Sequence, residues 1–260
     1  MKHNGLTDIC LKFIGLLTGL IITLNCYAQS SRITDKNNIG WYAAFATIRV
    51  APKWSIHYEY QWRRDDYITN WQQSLKRAGI NYHINKDITL RAGYGWIETY
   101  AYGEYPLNTM GRQYTEHRAF QALMVKSITG RWEFTHRYML EQRWVGRYSS
   151  PQQSKQDDFV YTNRMRYQGR VQVPLKGLTL DDREFYLAAY DEIFIGFGKN
   201  VGENIFDQNR IALLAGYKFN SAIKIEGGFI NQTAQLGREI YERNVFQYNN
   251  GFIISGIFNW

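Results

Sequence analysis

From residue 38 onward, apolar and polar side chains alternate with a period of two, and turn-forming residues interrupt the pattern at short intervals. That period places successive side chains on opposite faces of an extended chain, which commits the segment to strands. Strands are expected near 39–50, 54–64, 71–84, 88–101, 113–127, 131–145, 158–173, 184–197, 206–219, 222–234 and 244–260. Pro52, Pro106, Pro151 and Pro174 fall in or beside expected connections, where a missing N–H breaks no ladder. Asn85-Lys86-Asp87, Thr129-Gly130 and Asn220-Ser221 supply turn chemistry between patterned runs. Connections around Pro52, Asn85, Thr129, Lys176 and Asn220 are short. Those at 65–70, 102–112, 146–157, 198–205 and 235–243 are longer and polar. Short turns at one end and long loops at the other match an outer-membrane barrel with its short side periplasmic. The expected fold is therefore all-β, a transmembrane antiparallel up-and-down β-barrel of about 12 strands (range about 10–14), because single-chain bacterial barrels are almost always even-numbered. Eleven strands are visible in the pattern, so a short strand within 30–38 would restore parity.

Alternation alone does not separate a lipid-facing row from a soluble core; the ends of the rows carry the distinction. Trp54, Ile56, Tyr58, Tyr60 and Trp62 share one face, opposite Ser55, His57, Glu59, Gln61 and Arg63. Trp132, Phe134, His136, Tyr138, Leu140, Gln142 and Trp144 oppose Arg131, Glu133, Thr135, Arg137, Met139, Glu141 and Arg143. At ~3.3 Å per residue and a tilt near ~40°, the two Trp-to-Trp spans project to roughly 20 and 30 Å. They bracket an apolar band of about 25 Å, with Trp54, Trp62, Trp132 and Trp144 as girdle residues against outer-membrane lipids. In a soluble sandwich the same tryptophans would be core residues. The 16% aromatic content favours the barrel, although the averaged hydropathy is that of a soluble chain. Averaging is blind to strands that are apolar only at every second residue.

Both ends of the sequence point to export. Lys2, His3 and Lys12 precede an apolar run from Phe13 to Leu24, and Cys26-Tyr27-Ala28 places small residues at −3 and −1 of a cut before Gln29. Residues 1–28 read as a cleavable signal peptide and 29–260 as a single barrel domain. Lipidation at Cys26 is the rival reading, weakened by Asn25 just before it. Both cysteines, Cys10 and Cys26, lie in the removed segment, which excludes disulfides and thiolate metal sites from the mature domain. At the other end, Phe252, Ile254, Phe258 and Trp260 form an alternating apolar row that ends on an aromatic residue. This is similar to the signature read by the barrel-assembly machinery, in which an apolar strand edge pairs with an insertase strand.

The inward rows are charged. Arg164, Arg166 and Arg170 share a face of one strand with Asp158, Thr162, Gln168 and Gln172; neighbouring strands add Arg137, Glu141, Arg143, Glu184, Glu192, Gln208, Arg210, Lys224 and Glu226. Opposite charges on adjacent strands attract, and the planar guanidinium fork suits carboxylates. One reading is a salt-bridged filling that stiffens a narrow barrel. The other is a selectivity lining, or a site for a small anionic solute, formed by Arg137, Glu141, Arg143, Arg164, Arg166, Arg170, Glu192 and Arg210. The net charge of +8 suits either, or anionic headgroups. Nothing points to nucleic acid.

Enzyme signatures are sparse. His57, His83, His117 and His136 form no metal-ligand spacing, so no metal or other cofactor is expected. A membrane lipid hydrolase would need a serine hydrogen-bonded to a histidine near the lipid interface. His136 is on the outward row, but its strand has no serine, and Ser127 in the paired strand is a poor substitute.

Four segments carry a resemblance: His136–Trp144 (HRYMLEQRW), Tyr161–Tyr167 (YTNRMRY), Tyr190–Phe194 (YDEIF) and Phe206–Arg210 (FDQNR). They resemble a family of uncharacterised bacterial proteins of about this length, catalogued as a domain of unknown function and thought to be outer-membrane barrels. The resemblance covers nearly all of the mature chain. It implies the fold and location and transfers no activity. Three functions stay open: a narrow pore or solute-binding barrel, a membrane-embedded hydrolase using an interfacial His, and a structural barrel that docks a partner protein through its long loops.

Overall fold

A computed structural model describes residues 32–202 and 204–260; the signal segment expected at 1–28 lies outside them. The alternating segments are strands throughout: β1 (Ile33–Ala51), β2 (Trp54–Asp65), β3 (Asn70–His83), β4 (Ile88–Thr99), β5 (Tyr114–Thr129), β6 (Trp132–Arg147), β7 (Asp158–Pro174), β8 (Glu184–Phe197), β9 (Phe206–Lys218), β10 (Ile223–Ile240) and β11 (Arg243–Asn259). No helix occurs among the described residues. Chain neighbours pair antiparallel, and β1 pairs with β11 to close the barrel.

The barrel has eleven strands, inside the expected range around 12. Residues 33–38 form no separate strand; they extend β1. An odd count makes β1 and β11 run in the same direction, so the closing seam is parallel, from Ile33↔Val245 to Thr47↔Asn259. The antiparallel expectation holds at every other seam. Two backbone bonds finish the closure: the Trp260 N–H donates to the Thr47 carbonyl at 2.8 Å, and the Arg49 N–H to the Trp260 carbonyl at 2.5 Å.

The connections differ from expectation at two places. Residues 235–240 continue β10, and Tyr241-Glu242 alone makes the turn to β11, with φ of 52° and 57°. Neither is the Gly or Asn that usually marks such a turn. At the other end, residues 175–183 form a longer link than expected, folded back because the Glu184 carboxylate accepts the Lys176 and Asp181 N–H groups.

Side chains sort by parity. The outward rows keep Trp54 and Trp132 nearly half exposed (46% and 47%), together with Tyr58, Tyr138, Leu187, Leu213 and Phe229. The inward rows carry the buried charges and, on the β1 and β8–β11 side, an apolar cluster that includes Ile39, Trp41, Tyr186, Leu214 and Ile230. That cluster was not anticipated, since runs such as Ile211–Ala215 are apolar on both faces. Gly79 and Gly93 are register partners. A Cβ on Gly93 would come within 2.7 Å of the Phe120 ring, so the glycines make room for an inward aromatic side chain.

Candidate functional site

The inner wall is organised around Glu141, which is fully buried on β6. Its register partner on β7, Arg164, meets it at 2.6 Å, and Arg166 reaches the other carboxylate oxygen at 2.8 Å. Arg77 of β3 and Arg118 of β5 approach at 3.5 and 3.9 Å. Four guanidinium groups thus surround one carboxylate. The network extends both ways. Arg166 and Arg137 share Glu192 Oε1, at 2.6 and 2.7 Å. Arg164 also bridges to Asp207 at 2.6 Å, while Arg118 and Arg143 share Glu116 at 2.6 and 2.5 Å. Arg77 pairs with Glu59 at 2.8 Å. Arg170 stands apart and pairs with Glu226, which also accepts the Tyr186 hydroxyl. The candidate residues Arg137, Glu141, Arg143, Arg164, Arg166 and Glu192 therefore belong to one continuous belt. Arg170 lies on its short-turn side, and Arg210 sits at its edge, 4.0 Å from Glu192.

Two cavities flank this belt. One, of about 270 Å³, lies toward the long loops and is lined by Tyr102, Leu107 and Asn204. The other, of about 320 Å³, lies toward the short turns, near Thr47, Glu133 and Lys224. Arg63, Arg118 and Arg210 line both and mark the waist. The short-turn cavity has eight Arg and Lys side chains against four carboxylates in its wall. At the waist, Arg63 lies 3.9 Å and Arg210 4.9 Å from the centre of the Trp41 ring. The indole is fixed by its Nε1–H donating to Gln72 at 2.7 Å. Trp41 and Arg63 carried no special mark in the sequence, because their importance lies in what surrounds them.

The long-loop mouth is covered by the β4–β5 connection. Tyr102 is buried there, donating its hydroxyl to Gln247 at 2.9 Å and accepting from Asn249 at 3.2 Å. The Tyr105 N–H donates to Asp35 at 3.2 Å, and Arg238 donates to the Pro106 and Leu107 carbonyls at 2.7 and 2.9 Å. Burial pushes the Tyr102 hydroxyl up to about 12, so it stays a donor. The lumen is thus capped by residues 102–107. Residues 33–38, at the start of β1, are in the wall.

On the outside, an exposed apolar band is bordered by aromatic contacts. Trp54–Tyr82, Phe185–Tyr217 and Phe258–Trp260 ring the short-turn end at 4.8, 4.7 and 5.7 Å. Trp62–Trp71 and Trp144–Tyr161, at 6.1 and 5.4 Å, lie nearer the long loops. Polar pairs interrupt or adjoin the band on its long-loop half: Gln121–Gln142 at 3.1 Å, one step inside Trp144, and Asn231–Asn250 at 2.7 Å. Trp132 stands at the short-turn end of its row. Phe252, Ile254 and Phe258 face outward on β11, with Trp260 just beyond its end, and both edges of the strand are occupied, by β10 and β1.

His136 lies 2.9 Å from the Tyr167 hydroxyl, and Ser127 is in register with Phe134 instead. A Ser–His contact does exist, on the inner face: Ser55 Oγ to His83 Nε2 at 2.9 Å, with Thr89 on the other ring nitrogen at 3.1 Å. Ser55 is 1% exposed, so no substrate carbonyl reaches its hydroxyl in this conformation. Among the described residues, no cluster of His, Cys, Asp and Glu is set to hold a metal ion.

A family model described as "Protein of unknown function (DUF2490)" matches residues 38–241. No curated protein and no solved structure matches the chain.

Proposed function

The chain belongs to the DUF2490 family of proteins of unknown function, and from its own barrel we propose that it is an outer-membrane protein whose lumen binds or passes a small anionic solute. The observation that carries this reading is the excess of cations at the short-turn cavity: eight Arg and Lys side chains line it against four carboxylates, and counting Glu141 and Glu116, which pair with Arg77, Arg118 and Arg166, still leaves eight against six. A lining of one dominant sign selects the opposite charge. The belt around Glu141 fills the centre, so the passage is narrow and favours small solutes. Membrane placement rests on the outward apolar band and its aromatic borders, which suit bilayer hydrocarbon between two headgroup zones. In this setting the short turns face the periplasm of a Gram-negative cell, following an export signal at residues 1–28. The outward row ending at Trp260 is the segment read during assembly.

Planar bilayers holding the purified protein, under a potassium chloride gradient, test the reading. The expected result is small conductance steps with a reversal potential displaced toward that of chloride. Cation preference, or neither conductance nor anion binding in folded protein, overturns it. A second reading, docking of a partner protein on the long loops, has its own support. Arg112 ties the β4–β5 loop to the Gln153 and Pro151 carbonyls of the β6–β7 loop, giving a preorganised outer surface.

A further inference from the structure

We propose that the anion is held at the waist of the lumen by Arg63 and Arg210, and that it is a small oxyanion, a carboxylate or a phosphate. This rests on the reading above and assigns its site. Three side chains line both cavities, and they differ in one respect. Arg118 already has a carboxylate, Glu116, on two of its nitrogens at 2.6 and 2.9 Å. Arg63 has none: its Nε and Nη2 both donate to the amide oxygen of Gln61, at 2.8 and 2.5 Å, its Nη1 donates to that of Gln73 at 2.7 Å, and no carboxylate among the described residues lies within bridging distance. Arg210 has only Glu192 at 4.0 Å, and its Nε is buried without a partner.

Both groups are deeply buried, 4% and 8% exposed. A buried cation without a counter-ion is costly, and a bound oxyanion would offset that cost. The local geometry is prepared for one. Trp41 lies under both guanidinium groups, and Phe194 lies 4.6 Å from that of Arg210. Stacking on a ring face fixes a guanidinium plane; Arg63 commits its Nε–H and one N–H on each terminal nitrogen to the two glutamines, which leaves the second Nη1–H and Nη2–H to donate to a planar or tetrahedral oxyanion. The arginine strip on β7 is different. Arg164, Arg166 and Arg170 already hold Glu141, Asp207, Glu192 and Glu226, so a ligand there would displace existing pairs.

Calorimetric titration of the folded full-length barrel in detergent, at low ionic strength, tests the site, with succinate in one arm and inorganic phosphate in the other. Binding in either arm identifies the oxyanion class. R63Q and R210Q are each expected to weaken it at least tenfold, while R147Q, which removes the same charge from an exposed outer pair, stays within twofold. Heat-modifiable gel mobility reports folding. Should R63Q not fold, R63K keeps the charge but loses the fork and is expected to bind more weakly than the parent. Binding that survives R63Q and R210Q but falls with R170Q overturns this site and leaves an anion-binding lumen standing. Failure of both probes to bind folded parent protein overturns the site; if bilayer anion preference is also absent, the broader reading fails with it.

Discussion

Glu141 on β6 and Arg164 on β7 are register partners, and their side chains join at 2.6 Å in the interior of the barrel. Arg166, two residues along, engages the same carboxylate at 2.8 Å. Removing this carboxylate would strand several buried guanidinium groups at once. Replacing one partner of a buried pair typically costs ~3–5 kcal/mol, because the other charge is left uncompensated. Glu141→Ala is therefore expected to destabilise the barrel by about that amount in urea unfolding from lipid vesicles. Adding Arg164→Gln should cost less than the sum of the two single changes, the signature of direct coupling. Additive losses would show that the belt does not act as a unit.

The outer face makes the second prediction. Leu213 points outward from the middle of β9 and is 59% exposed. In a bilayer, Leu213→Arg puts a charge near the midplane at a cost of ~2–4 kcal/mol. In a barrel surrounded by water the same change stays within about 0.5 kcal/mol. Unfolding free energies in vesicles separate the two. An unchanged stability would argue that this face meets water.

Strand positions were legible wherever one face was apolar and the other polar; β8 was read as 184–197, as it stands in the structure. Legibility failed above the apolar band. The first residues of β1 put Thr34, Lys36 and Asn38 outward and Asp35 and Asn37 inward, so polar side chains occur on both faces and no period survives. The end of β10 was lost in the same way. Glu141, Arg164 and Glu192 could be placed on the inner wall from parity alone, but parity does not say which arginine has a carboxylate. Arg63 and Arg166 look alike in sequence. Only the register of β2, β3, β7 and β8 leaves the first on glutamine amides and the second between two glutamates.

The odd strand count gives a third prediction. Ala43 and Ser255 are partners across the parallel β1–β11 seam, and residues 29–260 contain no cysteine. Neighbouring strands hold Cα atoms within the 4.4–6.8 Å span a disulfide requires. The pair A43C/S255C is expected to oxidise to a faster-migrating species on gels, whereas A43C/N249C, six residues out of register, does not. A barrel closed by an additional antiparallel strand between β1 and β11 would leave both pairs reduced.

The cap over the long-loop mouth is expected to respond to pH through Tyr102. Its hydroxyl donates to Gln247, and burial pushes its pKa up to about 12, from about 10 in an unfolded chain. A raised acid stabilises the docked state at pH values where both states are protonated. That contribution is complete below pH ~10 and is lost as pH rises toward 12. Residues 102–107 should therefore resist a loop-cutting protease at pH 8, and deuterium exchange of the Tyr105 amide, bonded to Asp35, should accelerate between pH 10 and 12 beyond the intrinsic hydroxide-catalysed rise. Tyr102→Phe removes the hydrogen bond and with it the titration. The variant is expected to undock the loop by ~1 kcal/mol, within the ~0.5–1.5 kcal/mol net value of one hydrogen bond, with no extra step at alkaline pH. If parent and variant showed the same alkaline step, another group would control the cap, and Tyr102 would serve only as packing under the loop.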